Sequence, residues 1–428
     1  MSNPIKIGIA GLGTVGAGLI KIIQKNSNIL EARAGKPIKI IAVSALSKLK
    51  DRGVDLTAYE WEDDPIALAK RADIDVFVEL IGGESGQAKK ATEEAIKHGK
   101  HVVTANKAML AIHGQELASA AENSGVNLRF EAAVAGGIPV IKTLTESLAG
   151  NNITRIMGVM NGTCNYILTR MEDTGLAYEE IFEEANQLGF LEADPNLDVG
   201  GIDAAHKLVL LSSIAYGTQV DFNGAILEGI GRITIEDIKA ASEMGYRIKL
   251  LGVSSLSDSG LSQTMRPCLV PLTSPLAQLN GGTNMIIIEG DAVGQIVLRG
   301  AGAGEGPTAS AVIADILDIA RGINIPVFGQ PANSLIKVPA ISTSVENSFY
   351  LRLNLKDEAG ILAKVSAALA NVGISIDRIR QEGHEKDAAP VIIVTHPTDR
   401  DTLNKAISEI EETSAAIDPP VVLRIESV

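Results

Sequence analysis

The chain has 428 residues, of which 46% are hydrophobic but only 3% aromatic, so its core must be built from aliphatic side chains. The formal net charge of −14 argues against nucleic-acid or membrane-surface partners, and no apolar run approaches the roughly 18 residues of a membrane span. Cys164 and Cys268 show no zinc-ligand spacing and fit a reducing compartment, so a cytoplasmic location is expected.

The first third of the chain predicts a parallel sheet, because short apolar strands alternate with helical segments. The strands are predicted at Ile5–Ala10, Ile38–Ser44, Val76–Leu80, His101–Thr104 and Asn127–Ala132. The helices are predicted from a glycine turn to about Asn26, at Gly86–His98 and at Lys107–Asn123. This alternation is typical of α/β proteins with a doubly wound sheet of the Rossmann type.

The pattern changes after about Gly150, where helices and then strands are grouped together. A strand at Ile153–Val159 precedes helices at Asn165–Glu172, Tyr178–Leu188, Gly200–Tyr216 and Thr234–Met244. The next strands are Arg247–Ser254, Thr264–Pro271, Asn284–Glu289 and Gln295–Arg299, and a glycine-rich loop then leads into a helix at Pro307–Arg321. Such grouping predicts an α+β domain with a largely antiparallel sheet.

The last eighty or so residues follow a polar linker, Ser342–Ser348, and form a third pattern. Strands and helices are predicted at Phe349–Leu355, Gly360–Ala370, Ser375–Gln381, Val391–Thr395, Asp399–Glu411 and Val421–Ile425. The order strand, helix, strand, strand, helix, strand predicts a ferredoxin-like unit that is long enough to fold alone.

A glycine turn over residues 11–16 follows the first strand and opens the first helix, which is the context that a dinucleotide-binding fingerprint requires. Gly11 permits the tight turn, Gly13 lets a pyrophosphate approach the backbone, and Gly16 allows close packing of helix and strand. The helix N-terminus, at Thr14 and Val15, offers free N–H groups to phosphates.

The end of the second strand bears on which dinucleotide binds. An acid is expected there if the cofactor is NAD, but the strand ends at Ser44. Four residues able to receive a 2′-phosphate follow, namely Ser47, Lys48, Lys50 and Arg52. The sequence therefore favours NADP, with a solvated basic turn as the alternative.

Asp203 and Lys207 lie four residues apart, so they share one face of a predicted helix that is apolar almost all round. A surface ion pair would explain the spacing, but a charged pair on a buried helix needs partners, and a polar substrate is one. Lys107 follows the fourth strand, at the sheet edge where ligands sit in α/β proteins. His206 is expected to point away from Lys207 and to pack locally.

The sequence closely resembles the bacterial homoserine dehydrogenases that carry a C-terminal ACT domain. The resemblance rests on the glycine turn, Val102–Lys107, Glu131–Pro139, Asn161–Ile167, Leu188–Lys207, Gly302–Gly304 and Pro307–Ser310, in family order over nearly the whole chain. It implies a dinucleotide-binding domain at residues 1–135 with about 305–340, a substrate-binding and dimerisation domain at 136–304, and an ACT domain at 349–428.

The resemblance also implies a reaction and a set of roles. The reaction is reversible reduction of L-aspartate 4-semialdehyde to L-homoserine with NAD(P)H, in threonine, methionine and isoleucine biosynthesis. Lys207 is implied as the proton donor and Lys107 as a lysine beside nicotinamide and substrate. Substrate binding is implied for Glu192, Asp198 and Asp203, cofactor contact for Gly189 and Gly304, and a sodium site for Glu131, Val134, Gly136 and Ile138.

Three further expectations follow from the resemblance. The ACT domain implies control by threonine, with an oligomerisation module that binds no ligand as the alternative. A homodimer or homotetramer is expected. The rival functions are an NAD(P)-linked oxidoreductase acting on another amino-acid aldehyde or alcohol, and a regulatory protein that binds dinucleotide and amino acid without turnover.

Overall fold

The computed structural model describes residues 3–191, 194–342, 346–381 and 388–427. The chain divides into two compact units. The first unit contains Met1–Gly162, Asp203–Ala225 and Gly282–Val338, and the second contains Thr163–Ile202, Ile226–Gly281 and Pro339–Val428. No helix within the described ranges combines the length and the apolar character needed to cross a membrane.

The strands in chain order are β1 (Ile5–Ala10), β2 (Ile38–Ser44), β3 (Glu60–Glu62), β4 (Val76–Glu79), β5 (His101–Thr104), β6 (Leu128–Arg129), β7 (Ile153–Val159), β8 (Ile226–Leu227), β9 (Tyr246–Ser257), β10 (Gly260–Pro271), β11 (Thr283–Gly290), β12 (Gly294–Ala301), β13 (Ala340–Ile341), β14 (Phe349–Lys356), β15 (Ile376–Gln381), β16 (Ala388–Thr395) and β17 (Val421–Ile425).

The α-helices in chain order are α1 (Thr14–Ala34), α2 (Pro65–Lys70), α3 (Gln87–Lys97), α4 (Lys107–Asn123), α5 (Val140–Lys142), α6 (Gly162–Thr174), α7 (Tyr178–Gln187), α8 (Pro195–Val199), α9 (Ile202–Tyr216), α10 (Ile235–Glu243), α11 (Glu305–Arg321), α12 (Ile361–Asn371) and α13 (Arg400–Glu412). A π-helical turn, Thr143–Ser147, continues α5.

A parallel sheet organises the first unit, and its order in the described residues is β3-β2-β1-β4-β5-β6. This is the strand order of doubly wound dinucleotide-binding folds, so the predicted Rossmann-type sheet is confirmed. Strands β1 and β4 are almost fully buried, which is why they are continuous apolar runs. The sequence pattern does not indicate β3, which has only three residues, two of them glutamates. It does not indicate α2 either, because six residues are too few to show a helical period.

Helix α1 is longer than the pattern predicts. Its end was expected near Asn26, but it continues to Ala34. Asn26 has non-helical dihedrals, φ −112° and ψ 18°, so the expected end is a kink. The helix packs on α11 at Gly18, where an added Cβ would lie 2.6 Å from Cγ of Glu305.

The rest of the first unit contains β7, β11 and β12, in which β11 pairs antiparallel with both neighbours. Helix α9 also belongs here. It was predicted to begin at Gly200, but it begins at Ile202 because Gly201 has φ +82° and separates it from α8.

The second unit contains a long antiparallel hairpin and a small α+β layer. Strands β9 and β10 pair over their full lengths, and β17 lies parallel to β10. The last four strands have the order β17-β14-β16-β15. With α12 and α13 packed on one another, this is the predicted ferredoxin-like βαββαβ unit, which is therefore confirmed.

Candidate active site

The glycine turn has the geometry that a bound pyrophosphate needs. Gly11 has φ +96°, and a Cβ added there would lie 2.2 Å from the Leu80 carbonyl oxygen. A Cβ at Gly16 would lie 2.1 Å from the Gly11 carbonyl oxygen, whereas one at Gly13 would meet no atom within 4 Å. Thr14 begins α1, followed by Val15, and no side chain caps this N-terminus. The open side of Gly13 and the first-turn N–H groups therefore suit an anion.

The segment after β2 is held by Arg52. Its Nε donates to the Leu12 carbonyl oxygen at 3.0 Å, and its other nitrogens donate to the carbonyl oxygens of Lys50 and Ser47. Ser44, the predicted cofactor contact, is buried at the end of β2. Arg52 thus supports the loop, while the side chains of Lys48 and Lys50 are exposed.

The two predicted catalytic lysines meet at one carboxylate. Lys107 Nζ lies 2.8 Å from Asp203 Oδ1, and Lys207 Nζ lies 2.7 Å from Oδ2. Helix α9 brings Asp203 and Lys207 onto one face, while Lys107 is the first residue of α4, after the N-cap Asn106. The exposed fraction is 9% for the Lys207 side chain and 28% for Lys107. Only Lys107 therefore has substantial access to solvent.

The Lys207 ammonium and the Asp203 carboxylate also contact backbone and amide groups that the sequence motifs did not mark as site residues. Lys207 Nζ donates to the Met160 carbonyl oxygen at 2.7 Å, and Asn284 Nδ2 donates to the same oxygen at 3.0 Å. Asn161 Nδ2 donates to Asp203 at 3.4 Å. Asn284 lies on β11, far along the chain, so no local signal connects it to Lys207.

Electrostatics keeps Asp203 ionised. Burial alone would raise the pKa of Asp203, but the charges of Lys207 and Lys107 outweigh it and hold the pKa well below its ordinary value. His206 packs against Phe222 with ring centroids 4.5 Å apart, and burial lowers the pKa of its imidazole. The centre is thus a charged carboxylate between two ammonium groups, with a neutral imidazole alongside.

Glu79 is a buried carboxylate that sequence reasoning missed. Its Oε1 accepts the N–H groups of Ile81 and Gly82 at 2.7 and 3.0 Å, and its Oε2 accepts the Thr104 hydroxyl at 2.5 Å. Thr104 Oγ1 in turn accepts the Asn106 N–H at 2.9 Å. This network fixes the residue that caps α4 and precedes Lys107. An acid ending the apolar strand β4 was the signal that could have revealed it.

The other predicted site residues lie in different parts of the chain. Gly304, at the N-cap of α11 with φ +119°, belongs to the first unit. Gly189, with φ +75°, and Asp198, buried in α8, belong to the second. Glu192 lies outside the described residues. The structure thus brings Lys107, Asp203 and Lys207 together, and the remaining assignments stay predictions.

The predicted cation residues form a tight buried loop. The Glu131 carboxylate accepts the N–H groups of Ile141 and Lys142, each at 2.9 Å. Burial and then the neighbouring Asp315 raise the pKa of Glu131 to about 8. Gly136 has φ +54° and could not carry a Cβ, which would lie 2.5 Å from the Gly302 carbonyl oxygen. Val134 and Ile138 are also buried.

This loop does not resemble a metal site built from side chains. Among the described residues, no three His, Cys, Asp or Glu side chains are grouped so that they could hold a metal ion. A cation here would depend on backbone carbonyl oxygens together with Glu131, which are ligands suited to hard ions.

Known proteins match the chain over its full length. Family models for the homoserine dehydrogenase NAD-binding domain, homoserine dehydrogenase and the ACT domain match residues 11–131, 139–317 and 349–414. The homoserine dehydrogenase of Neisseria gonorrhoeae is 42% identical over 100% of this chain and 99% of its own length. The chain belongs to the homoserine dehydrogenase family. The resemblance read from the motifs is therefore confirmed.

Solved homoserine dehydrogenases have the same fold. That of Thiobacillus denitrificans matches with a TM-score of 0.93 and 39% identity over 99% of both chains. A hyperthermophilic archaeal homoserine dehydrogenase in complex with NADPH matches with a TM-score of 0.65 and 27% identity, over 75% of this chain and 99% of that one. As a homoserine dehydrogenase, this chain is an oxidoreductase with a nicotinamide cofactor, and its NAD-binding region is the one that contains the glycine turn.

Proposed function

We propose that the chain catalyses the reversible reduction of L-aspartate 4-semialdehyde to L-homoserine with NADPH. The observation that carries this proposal is the Asp203 carboxylate, which holds the ammonium groups of Lys107 and Lys207 at 2.8 and 2.7 Å. An aldehyde oxygen needs a proton donor, and the substrate's own ammonium group needs a carboxylate. One centre contains both.

The lysines divide the work according to their surroundings. A nicotinamide cofactor bound at the glycine turn would supply the hydride to the aldehyde carbon. The oxygen then carries a developing negative charge, which a nearby ammonium stabilises and protonates. Lys207 Nζ, fixed by Asp203 and the Met160 carbonyl oxygen, is proposed as the donor of that proton. Lys107 polarises the same oxygen, while Asp203 receives the substrate ammonium. Asp198 and Glu192 stay proposed as substrate-binding residues on the family resemblance.

Replacement of Lys207 tests this assignment. We expect K207A to lower kcat for aspartate semialdehyde by about 10²–10⁴-fold, since the proton donor is lost. K97A removes a lysine that is 73% exposed in the same unit and should keep the wild-type rate. A near wild-type rate for K207A would refute the assigned role. A panel of amino-acid aldehydes and alcohols with NADPH separates the alternative substrates, and absence of hydride transfer to all of them would favour a binding protein.

The preference for NADP is supported by the end of β2. Ser44 stands where an acid would hold a ribose hydroxyl, and exposed Lys48 and Lys50 follow it. We expect kcat/KM to be higher with NADPH than with NADH. In the K48A/K50A double variant, we expect the ratio of these two kcat/KM values to be closer to one. Equal values of kcat/KM for the two cofactors in the wild type would contradict this preference.

A sodium site at Glu131, Val134, Gly136 and Ile138 is supported by the buried Glu131 carboxylate, which accepts the backbone N–H groups of Ile141 and Lys142. The cation would stabilise the loop that precedes α5. We expect the midpoint of thermal unfolding to be higher in sodium chloride than in tetramethylammonium chloride. In E131Q, the midpoint should be the same in the two salts. An identical midpoint in both salts would refute the site.

The ferredoxin-like part at residues 349–428, which we call the ACT unit, is proposed to mediate control of the activity by threonine.

We also propose that the protein is a homodimer or homotetramer in the cytoplasm. A role in threonine, methionine and isoleucine biosynthesis follows from the proposed product. We also propose the domain division at residues 1–135 with 305–340, 136–304 and 349–428. Initial rates with and without threonine test the control. An unchanged rate would leave the ACT unit as an oligomerisation module.

A further inference from the structure

Three arginines of the second unit come together around the junction of β10 and β17, and we refer to Arg266, Arg400 and Arg424 as the arginine cluster. Strand pairing places Arg424 beside Cys268 on β10 and beside Phe349 on β14. Arg266 lies two residues before Cys268, so it shares that face of the sheet.

Arg400 reaches the same place from the start of α13. Its guanidinium carbon lies 5.8 Å from the centroid of the Phe349 ring, and Phe349 pairs with Arg424. The three guanidinium groups therefore converge from a strand of the long hairpin, a strand of the ACT unit and a helix N-terminus.

Arg266 and Arg424 of the arginine cluster are buried, Arg400 is partly buried, and the nitrogens of all three are incompletely paired. Arg266 and Arg424 are each only 6% exposed. In the described part of the chain, Nε of Arg266, Nε of Arg424 and Nη1 of Arg400 have no hydrogen-bond partner. Buried polar groups are nearly always hydrogen-bonded, because an unpaired one costs about 1–3 kcal/mol. Three guanidinium N–H groups on converging side chains, unpaired within the described residues, therefore indicate a place where a further acceptor would bind.

The charges of the cluster also point to an anion. Arg424 forms an ion pair with Glu426, and Glu228 acts on Arg266 and Arg400. Burial, with the neighbouring arginines, lowers the pKa of both Arg266 and Arg400. Guanidinium groups that lie close enough to repel one another, in a place with little access to solvent, favour a small anion.

We propose that the arginine cluster binds a small oxyanion. Guanidinium groups present planar N–H donors that match the oxygens of a carboxylate or a phosphate, and such charge-assisted hydrogen bonds are among the strongest in proteins. The oxyanion is either a free inorganic ion or the carboxylate of a small molecule. Since it contacts β10, β17 and α13 together, it ties the ACT unit to the long hairpin.

Thermal unfolding of the full-length protein tests the site. The probes are inorganic phosphate and acetate, each compared at equal ionic strength with chloride, which has no oxygen atoms to match the guanidinium donors. We expect the midpoint to rise with one of the two oxyanions, and the apparent dissociation constant to be at least tenfold larger in R400Q. A response to phosphate alone indicates a free inorganic oxyanion, and a response to acetate indicates a carboxylate ligand.

Two control variants complete the experiment. R378Q removes an exposed arginine of the same unit and should respond as the wild type does. Phosphate binding at the glycine turn is common to all variants, so the difference between wild type and R400Q reports the cluster alone. If R400Q does not fold, R400K takes its place, because lysine keeps the positive charge but lacks the planar set of N–H donors. R400K should show the same weakening of oxyanion binding. A wild-type midpoint that changes equally in all salts, or a full response in R400Q, would overturn the proposal.

Discussion

The lysine–aspartate centre of the first unit and the arginine cluster of the second are both buried groups of cations, but they are balanced differently. Lys107 and Lys207 share the two oxygens of Asp203, so each ammonium has a carboxylate oxygen within 2.8 Å. In the cluster, Arg266 and Arg424 each leave a buried Nε without an acceptor among the described residues. The contrast teaches that a buried cation does not define a site by itself. What defines it is which of its donors the chain already satisfies.

The chemistry of lysine and arginine agrees with this difference between the two groups of cations. A lysine ammonium is a compact charge that releases a proton to a reacting oxygen, whereas an arginine guanidinium stays protonated and offers fixed donors. The balanced lysine centre is therefore suited to proton transfer. The unbalanced arginine cluster is suited to holding an anion.

The largest effect is expected when the balance of the lysine centre is broken. D203N leaves two ammonium groups facing one another, and breaking a buried pair costs about 3–5 kcal/mol of unfolding free energy. The folded-state pKa of Asp203 lies below its unfolded value, so its contribution is full above about pH 4 and is lost as the pH falls through the folded value. Urea titrations of wild type and D203N from pH 7 to pH 2 measure it. A constant difference across that range would contradict the pairing.

A smaller effect distinguishes paired from unpaired arginines within the second unit. Arg352 donates to the fully buried Asp237 at 2.7 Å, so R352M should lower the unfolding free energy by about 3 kcal/mol. Arg266 forms no ion pair within 4 Å among the described residues, so R266M should be neutral or stabilising in buffer without small oxyanions. Denaturant titrations of both variants provide the measurement. Equal destabilisation would remove the distinction between the two kinds of arginine.

The smallest effect is expected from the network behind Lys107. T104V keeps the side-chain shape but removes the hydroxyl that joins Glu79 to the Asn106 N–H. We expect a loss of about 1 kcal/mol of unfolding free energy and a modest fall in kcat with little change in KM. T104S keeps the hydroxyl and should restore kcat. If T104S and T104V have the same kcat, the hydroxyl does not position Lys107.

The sequence predicted the elements best where local pattern and burial agree. The bounds of β1, β2 and α4 are those predicted, because each is a complete apolar run or is limited by a glycine turn or an N-cap. The predicted end of α1 and the predicted start of α9 were wrong. The helix kinks at Asn26 instead of ending there, and Gly201 has a left-handed backbone conformation that separates α8 from α9. Asp203 and Lys207 were identified because a helix places residues four apart on one face.

The sequence by itself determined the family, the order of the longer helices and strands, and the charged residues that lie on apolar helices. Motifs and periodic patterns lie within short segments of the chain, so each can be recognised without knowledge of the rest of the structure. Only the tertiary structure decided that Lys107 shares Asp203 with Lys207, that Glu79 fixes the start of α4, and that arginines 24 to 158 residues apart converge. Those contacts arise when strands and helices pack, and packing joins residues whose separation along the chain has no period to reveal it.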